Sequence, residues 1–574
     1  MNYIWKHLSK YKREAILAPL FKMLEALFDL FVPLVVANII NIGIAKGNKT
    51  YIYKQIGLLI ILALVGITCS VIAQYFAAKA SVKTASNIRK ELFDHIETLG
   101  YKELDELGSS TLITRMTSDI NSIQNGINLA LRLLLRSPFI VFGAMVMAFT
   151  INAKISLVFL ATIIILSIIV YTIMSITNPG FKNIQKRLDK VTSATRENLT
   201  GVRVVRAFGK EEEEIEQFNQ ANMALNRMQR RIGQISGLMN PLTYIVVNLA
   251  IIAIIYYGAN LVNAGILLSG DVVALVNYIN QILVELVKLA NTIISISKTM
   301  ASSNRISDVL NTKSSMVYGT QYIEKNEQEP VITFDHVSLS YNQSGEESLT
   351  DISFQIQRGQ TIGIIGGTGS GKSTLVSLIA RFYDVSSGKV LLEGTDIKEY
   401  PKEQLRGKIH VVMQKAQLFK GTIRSNLLWG GLNATDEDLW KALEIAQASE
   451  VVKGKAKGLD EEVEQGGRNF SGGQKQRLTI ARALVSKADI LILDDSASAL
   501  DFATDASLRK AIHNLEGNMT TFIVSQRTSS IMHADLILVL DDGLLVGKGT
   551  HQELLESCEV YKEIYESQFK KGGK

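Results

Sequence analysis

Residues 155–174 form an uninterrupted apolar segment, ISLVFLATIIILSIIVYTIM, that contains no charged side chain. An α-helix of about 20 residues is long enough to cross the hydrocarbon core of a bilayer. The alternative is a helix buried inside a large soluble protein, and the complete absence of charge over twenty residues argues against it. The segment therefore predicts a membrane-spanning helix.

Five further segments have a similar length and composition. Together they predict six spans, near 16–44, 56–78, 129–152, 155–178, 239–262 and 268–294. Most contain one or two charges, which a single-span anchor would avoid. Lys and Arg are enriched in cytoplasmic loops, and here they concentrate in the N-terminal stretch and in two long loops at about 79–128 and 180–235. We therefore expect a multi-pass protein of the cytoplasmic membrane, with its N-terminus and the residues after the sixth span in the cytoplasm.

The composition changes near residue 315, and 574 residues are too many for a single domain. The first part is dominated by long apolar segments, whereas the rest alternates apolar strands with polar helices. We predict an α-helical transmembrane domain at 1–311, a polar linker at 312–330 and an α/β domain at 331–574. The net charge of +6 is concentrated in the cytoplasmic loops and suits anionic membrane lipids. No nucleic-acid-binding module is evident.

Residues 362–374 read IGIIGGTGSGKST, an apolar strand followed by the pattern G-x-x-x-x-G-K-S and a helix. Glycines let backbone N–H groups surround phosphates, and the helix directs its positive end toward them. Lys372 would reach the β- and γ-phosphate oxygens, and Ser373 would ligate Mg²⁺. The predicted phosphate-binding residues are Gly366, Gly367, Thr368, Gly369, Ser370, Gly371, Lys372, Ser373 and Thr374.

A second nucleotide motif follows further along the chain. Residues 490–494, ILILD, predict a buried parallel strand that delivers Asp494 to the same metal ion. Together the two motifs predict an α/β P-loop NTPase domain with ATP and Mg²⁺ as its cofactors.

Between these motifs lies FSGGQKQR, Phe470–Arg477, which resembles the signature sequence of ABC-type ATPases. The resemblance covers essentially the whole chain and is to type IV ABC exporter half-transporters. In that family the signature of one nucleotide domain closes over the γ-phosphate held by the other. The resemblance implies that Ser471, Gly472, Gly473 and Gln474 serve the ATP of a partner subunit.

Other positions match the family one by one. Tyr341 in SLSY matches the aromatic residue that stacks on adenine, and Gln414 in VVMQ matches the glutamine that contacts Mg²⁺ and couples to the membrane domain. Residues 498–501, SALD, match the loop at the dimer interface. The loop tips at 106–120 and 201–218 resemble coupling helices, and the resemblance implies that the segment around Arg206 to Lys210 docks on the partner's nucleotide domain.

Two departures from the family pattern concern catalysis. Asp495 stands where the family has the glutamate that polarises the attacking water, and Gln526 stands where it has the switch histidine. The segment Val463–Gly467, before the signature, also differs. Loss of a positioned general base typically costs roughly 10² to 10⁴ in rate. The candidate catalytic residues, Asp495, Gln526 and Gln414, therefore predict a site that binds ATP and hydrolyses it slowly.

This pattern resembles the degenerate-site subunit of a heterodimeric bacterial multidrug exporter. A homodimer would have no competent site, so the expected partner is a homologous half-transporter that supplies the catalytic Glu and His. The predicted function is ATP-driven export of hydrophobic or amphipathic compounds. A lipid flippase, a peptide exporter, and a regulatory or sensor subunit that moves no cargo are the alternatives.

Glu25 and Asp29 lie one helical turn apart on one face of the first predicted span. Carboxylates within a membrane are costly and usually line a wet cavity or pair with a cation. They could recognise a cationic substrate, pair with Arg132 or Arg136, or lie near the inner headgroups. Glu285 and Lys288 in the sixth span, three residues apart, are expected to pair with each other.

Overall fold

Long apolar segments with few charges become long helices, and six of them form the first of two units in the chain. The computed structural model describes residues 2–341, 347–496, 498–515 and 518–569. The first unit comprises the described parts of Met1–Glu97 and Leu107–Thr312, and the second those of Thr98–Glu106 and Lys313–Lys574.

The six helices that are long and apolar enough to cross a membrane confirm the predicted number of spans. They are Tyr3–Ile44, Lys49–Ile96, Ser109–Ile151, Ala153–Thr200, Glu211–Asn263 and Ser269–Asn311. The shortest has 42 residues, and at about 1.5 Å per residue it is longer than the roughly 30 Å hydrocarbon core. The helices therefore extend beyond the hydrocarbon core.

Several of these helices contain local interruptions. The α-helical stretches of the first unit are Asn2–Leu8, Lys12–Asn38, Lys49–Ile96, Ser109–Thr114, Ile120–Leu129, Arg136–Ile151, Ala153–Thr200, Val202–Ala207, Glu211–Gly237, Met239–Asn263 and Ser269–Asn311. Single π-helical turns lie at Ile39–Ile44, Arg115–Asp119 and Ala130–Leu134, and a 3₁₀ turn at Ser9–Tyr11.

Small residues allow the first and sixth spans to approach closely. A Cβ atom on Gly270 would lie 2.4 Å from the carbonyl oxygen of Ala37, so only glycine fits there. Asn41 fixes the same contact, because its Oδ1 accepts from the Gly270 amide at 2.7 Å and its Nδ2 donates to Asp271 Oδ1 at 3.0 Å. Close approach of this kind is typical of packed membrane helices.

The second unit is built on three sheets. Its strands are β1 Ile332–Leu339, β2 Leu349–Ile356, β3 Thr361–Gly366, β4 Ser387–Leu392, β5 Thr395–Asp396, β6 Ile409–Val412, β7 Gly421–Thr422, β8 Glu462–Val463, β9 Ile490–Asp494, β10 Thr520–Val524, β11 Leu536–Asp541 and β12 Leu544–Gly549. A six-stranded sheet has the order β12-β11-β3-β10-β9-β6, an antiparallel sheet the order β2-β1-β4-β5, and β7 pairs with β8.

The six-stranded sheet is parallel except for β12. All residues of β9 and β10 are buried, as expected of strands covered on both faces. The α-helices around the sheets are Lys372–Ile379, Lys402–Lys408, Ile423–Leu427, Asp436–Ile445, Ser449–Lys453, Gly472–Leu484, Phe502–His513, Thr528–Ile531, His551–Ser557 and Glu559–Phe569. Because parallel strands end at one edge, the residues that follow β3, β9 and β10 come together there.

One short helix from the first cytoplasmic loop, Tyr101–Leu107, has most of its residues in the second unit. The Tyr101 ring stacks on Phe382 at 4.5 Å, and the Tyr383 hydroxyl donates to Asp105. The sequence analysis had placed the coupling segment of this loop at 106–120, which is wrong, because the segment that packs on the nucleotide domain is Thr98–Glu106. Helical periodicity alone did not indicate which turn carries the packing aromatic.

Candidate nucleotide site

The loop between β3 and the helix Lys372–Ile379 adopts a conformation that requires glycine. Gly369 and Gly371 have φ angles of +86° and +93°, in the left-handed region that glycine enters without steric cost. A Cβ atom on Gly371 would lie 2.7 Å from Leu349 Cδ2. The loop therefore turns tightly into the N-terminus of a helix, which is a favourable place for an anion.

The ammonium group of Lys372 lies within the curve of this loop. Its Nζ donates to the carbonyl oxygens of Gly366 at 2.9 Å and Gly367 at 2.5 Å. Burial lowers the pKa of Lys372, while the nearby Asp495 and Asp494 carboxylates oppose that shift. The loop thus carries a partly buried cation where a phosphate group would approach.

Two of the three predicted metal ligands, Ser373 and Asp494, are brought together although they lie far apart in the chain. Ser373 Oγ donates to Asp494 Oδ1 at 3.1 Å. Burial is the main reason that the pKa of Asp494 lies above its ordinary value; the hydrogen bond from Ser373 opposes the shift, and the charge of Asp495 adds to it. A hydroxyl and a carboxylate are ligands that suit Mg²⁺, so the donor set fits that ion.

Asp495 directly follows β9 and lies in a fixed turn. Its φ angle is +44°, its amide donates to the Val524 carbonyl at 3.0 Å, and its own carbonyl accepts from Ser498 Oγ at 2.8 Å. Gln414 Nε2 donates to Asp495 Oδ2 at 3.3 Å. The structure therefore pairs Gln414 with Asp495, beside the Ser373–Asp494 pair.

Tyr341 lies next to the helix that follows the phosphate loop. Its hydroxyl donates to Thr374 Oγ1 at 3.2 Å, and its ring meets Tyr383 edge-on at 5.0 Å between centroids. Tyr383, which also donates to Asp105, was missed by the sequence analysis. Two adjacent aromatic residues after a helix, Phe382 and Tyr383, were the signal that could have found it.

The predicted signature loop is a capped helix start. Ser471 Oγ accepts from the Gln474 amide at 3.3 Å, and Gln474 Oε1 accepts from the Ser471 amide at 3.0 Å. This reciprocal pair begins the helix Gly472–Leu484. A Cβ atom on Gly473 would lie 3.1 Å from the Ala499 carbonyl oxygen, so the loop leaves little room beside residues 498–501.

The sequence matches two family models, that of the ABC transporter transmembrane region over residues 15–286 and that of the ABC transporter over residues 349–498. It is 36% identical to an uncharacterized ABC transporter ATP-binding protein of Bacillus subtilis, over 99% of this chain and 98% of that protein. The chain belongs to the ABC transporter family.

Two further similarities describe the transporter more closely. It is 30% identical to the ATP-dependent lipid A-core flippase of Haemophilus ducreyi, over 97% of this chain and 96% of the flippase. Its fold matches a bacterial Atm1-family ABC exporter solved with ATP bound, with a TM-score of 0.81 and 23% identity, over 97% and 99% of the two chains. The chain is thus a multi-pass membrane protein with the fold of a type IV-like ABC exporter half, and its nucleotide domain, which is cytoplasmic in exporters, is an ABC-type ATPase domain. Half-transporters of this family act as dimers.

In the membrane unit of the transporter, the two predicted substrate carboxylates belong to a charged network. Arg136 donates to Glu285 at 2.5 Å and to Asp29 at 3.0 Å, and lies 3.7 Å from Glu25. Lys22 donates to Glu25 at 2.5 Å, and Lys288 to Glu285 at 2.9 Å. The expected pairing of Glu285 with Lys288 is confirmed.

Asp29 differs from Glu25 in its exposure. The Asp29 side chain is 44% exposed, against 13% for Glu25. Asp29 lines a cavity of about 470 Å³ together with Arg136, Asn277, Asn280, Gln281 and Glu285. Of the two arginines considered as partners, Arg136 contacts both carboxylates, whereas Arg132 donates to Asn128 at 3.5 Å.

Proposed function

We propose that this chain is one half of a heterodimeric exporter in which its own nucleotide site binds ATP but hydrolyses it slowly. Its signature loop completes the competent site of a homologous partner that has an intact catalytic Glu and His. The observation that carries this proposal is Asp495, which directly follows Asp494 where the family has glutamate.

The binding half of the site supports ATP and Mg²⁺ as cofactors. The loop from Gly366 to Thr374 would enclose the phosphates, and Lys372 would neutralise them. Ser373 and Asp494, already 3.1 Å apart, would hold Mg²⁺ together with Gln414. The metal would stabilise charge on the phosphate oxygens, and Tyr341 would stack on the base.

The side chains that would activate the attacking water are less suited to hydrolysis than those of the family. A general base must lie within about 2.6–3.2 Å of the proton that it removes. The Asp495 carboxylate is one methylene shorter than that of glutamate, and it accepts a hydrogen bond from Gln414. Gln526, which replaces the histidine, has an amide side chain that is not a base. Both departures reduce hydrolysis while leaving the phosphate loop and metal ligands in place.

Exposed apolar side chains support a partner for each unit. Val204 and Phe208, at the tip of the second cytoplasmic loop, are 61% and 75% exposed. In the nucleotide domain, Trp429 is 63% exposed and stacks on Phe419 at 4.1 Å. Exposed apolar groups of this kind mark protein interfaces when they cluster. We assign the loop tip, including Arg206–Lys210, to the partner's nucleotide domain.

The cargo is hydrophobic and cationic or amphipathic. Asp29, with its half-exposed carboxylate, is the residue that would meet a cation in the cavity, alongside the amides of Asn277 and Gln281. Glu25 is held between Lys22 and Arg136 and would position Arg136 rather than touch cargo. A lipid is the second candidate cargo, because a relative at 30% identity is named a lipid A-core flippase.

The test is reconstitution in proteoliposomes of this chain with a co-encoded homologue that has the catalytic Glu and His. We expect ATP-driven uptake of a hydrophobic cationic dye into vesicles with outward-facing nucleotide domains. Replacement of the partner's catalytic Glu by Gln is the matched control and should abolish uptake. Rapid ATP turnover by the chain purified alone would contradict the heterodimer, and ATP turnover by the pair without movement of dye or lipid would favour a sensor.

A further inference from the structure

One glutamine on the helix Glu559–Phe569 holds the main chain around Gln526. Gln568 Oε1 accepts from the Thr528 amide at 2.9 Å and from Thr528 Oγ1 at 2.6 Å. Its Nε2 donates to the Gln526 carbonyl at 2.7 Å. The contact uses both the acceptor and the donor of the amide, so neither a carboxylate nor an apolar side chain can reproduce it.

The helix that carries Gln568 is firmly anchored. Tyr561 is fully buried, and its hydroxyl pairs with His551 Nδ1 at 2.7 Å. The helix packs against β3, β11 and the short helix Thr528–Ile531. Gln568 therefore extends from a fixed support to the segment that follows β10.

The same segment also reaches the loop predicted at the dimer interface. Arg527, which lies between the two residues held by Gln568, donates to the carbonyl oxygens of Ser498 and Leu500 at 3.5 Å. A shift of this segment would therefore change the position of Gln526 and the contacts of Ser498 and Leu500. Two of the three hydrogen bonds of Gln568 are to the main chain, and none of the three involves the exposed Gln526 side chain.

We propose that Gln568 is a positioning residue that fixes residues 526–528 so that the Gln526 side chain meets the γ-phosphate. The proposal rests on the proposed function, in which this chain's own site binds ATP; the Gln526 amide is not a base, but its N–H groups can donate to a γ-phosphate oxygen. It links the C-terminal helix to discrimination between ATP and ADP, because only ATP carries the group that Gln526 would contact.

The experiment uses the full-length chain, purified alone, with Gln568→Met as the test variant and Ser567→Ala as the matched control. Methionine keeps the length and packing of the side chain and removes the three hydrogen bonds. We expect affinity for a non-hydrolysable ATP analogue with Mg²⁺ to fall by about 3- to 10-fold, with ADP affinity unchanged. Hydrogen exchange of the peptide containing the Thr528 amide should become faster. Gln568→Glu, which keeps only the acceptor, should give an intermediate loss.

Two outcomes would overturn the positioning role. Equal weakening of ATP and ADP binding by Gln568→Met would show a merely structural residue, and unchanged hydrogen exchange at Thr528 would show that the segment is not held by Gln568. The variant Gln526→Ala tests the γ-phosphate contact itself, independently of Gln568. If that variant leaves the ATP-to-ADP preference intact, Gln526 does not contact the γ-phosphate and the discrimination role of Gln568 also fails.

Discussion

The side chains that would hold phosphate and metal form a closed set of contacts, whereas the neighbouring side chains that would activate water do not. Lys372 is fixed by two carbonyl oxygens of its own loop, and Ser373 donates to Asp494. The carboxylate of the next residue, Asp495, accepts a hydrogen bond from the Gln414 amide at the longer distance of 3.3 Å. We therefore expect the length of one side chain to separate nucleotide binding from hydrolysis within this domain.

A third region, the signature loop, is held by internal contacts as the phosphate loop is. Ser471 and Gln474 exchange the two hydrogen bonds of a capping box, and Gly473 lies so close to the Ala499 carbonyl oxygen that a side chain there would be crowded. A helix start with free N–H groups is suited to a phosphate, although in this chain it would serve the partner's ATP. The comparison thus predicts that the signature loop matters more to turnover of the complex than the chain's own phosphate loop.

The largest effect is expected at the signature loop. Ser471→Ala removes a hydroxyl that would stabilise the partner's γ-phosphate during hydrolysis. We expect ATPase activity of the complex to fall by roughly 10² to 10³, the cost of removing one preorganised donor. Lys372→Ala, which affects only the slow site, should reduce the rate less than tenfold. The measurement is phosphate release by the reconstituted pair.

Ser471 also caps a helix, and loss of a cap alone costs about 1 kcal/mol. Thr435→Ala is the matched control, because Thr435 caps the helix Asp436–Ile445 in the same reciprocal way. That variant should show a similar change in melting temperature with nearly full activity. If Lys372→Ala proves more damaging than Ser471→Ala, the competent site is the one that holds this chain's phosphate loop.

The second prediction concerns two substitutions that give Asp495 and Gln526 the residues that the family has at these positions. Asp495→Glu adds the missing methylene, and Gln526→His returns the family's imidazole, which would contact the γ-phosphate and also position the base. Residues that act as a unit are not additive, so we expect little gain from either alone and about 10- to 100-fold from both. Phosphate release is measured with the partner's catalytic Glu replaced, so that only this site contributes.

The turn at Asp495 permits this test. Its backbone is held by Val524 and Ser498, and the substitution keeps both main-chain contacts. The control is Asp495→Asn with Gln526→His, which removes the carboxylate charge and does not add the missing methylene. A failure of the double variant to recover activity would assign a further block to the partner's signature or to Val463–Gly467.

The third prediction carries the comparison into the membrane unit, where Asp29 is half exposed and Glu25 is held by two cations. Asp29→Asn should lower uptake of a hydrophobic cation about fivefold relative to a neutral dye, because a rim charge typically contributes about 1 kcal/mol. Asp189→Asn, at an exposed cytoplasmic position, is the control. An equal loss for both dyes would show that Asp29 only supports Arg136.

The sequence predicted much of this arrangement because its strongest signals are local. A twenty-residue apolar run, a glycine-rich turn between a strand and a helix, and ILILD each specify their own structure. The meeting of Ser373 with Asp494 also followed, since parallel strands end at a common edge. The six spans and the ABC fold were therefore predictable without coordinates.

Contacts between distant segments were not predictable. The coupling segment was predicted at 106–120 from its resemblance to the family, whereas Tyr101 and Asp105 make the contact with Phe382 and Tyr383. The sequence left three alternatives for Asp29, and it could not show that Arg136, on another helix, donates to its carboxylate at 3.0 Å. Gln568 gave no signal at all, because a polar residue on an amphipathic helix is usually a solvated one.

The smallest expected effect concerns the dependence of Mg²⁺ binding on pH. Burial raises the pKa of Asp494 above its ordinary value, so its carboxyl takes up a proton at a higher pH than an exposed aspartate would. A protonated carboxyl is a poor metal ligand, and Mg²⁺ affinity should therefore weaken as the pH falls through this raised pKa. We expect the enhancement of ADP binding by Mg²⁺ to drop about two- to threefold between roughly pH 7.5 and 5.5. Dividing the Mg²⁺ enhancement of wild-type protein by that of Asp494→Asn at each pH corrects for the titration of ADP itself. Asp495→Asn should retain the dependence but displace it to lower pH, since the charge of Asp495 adds to the shift; a wild-type profile parallel to that of Asp494→Asn would contradict a role for Asp494 in binding the metal.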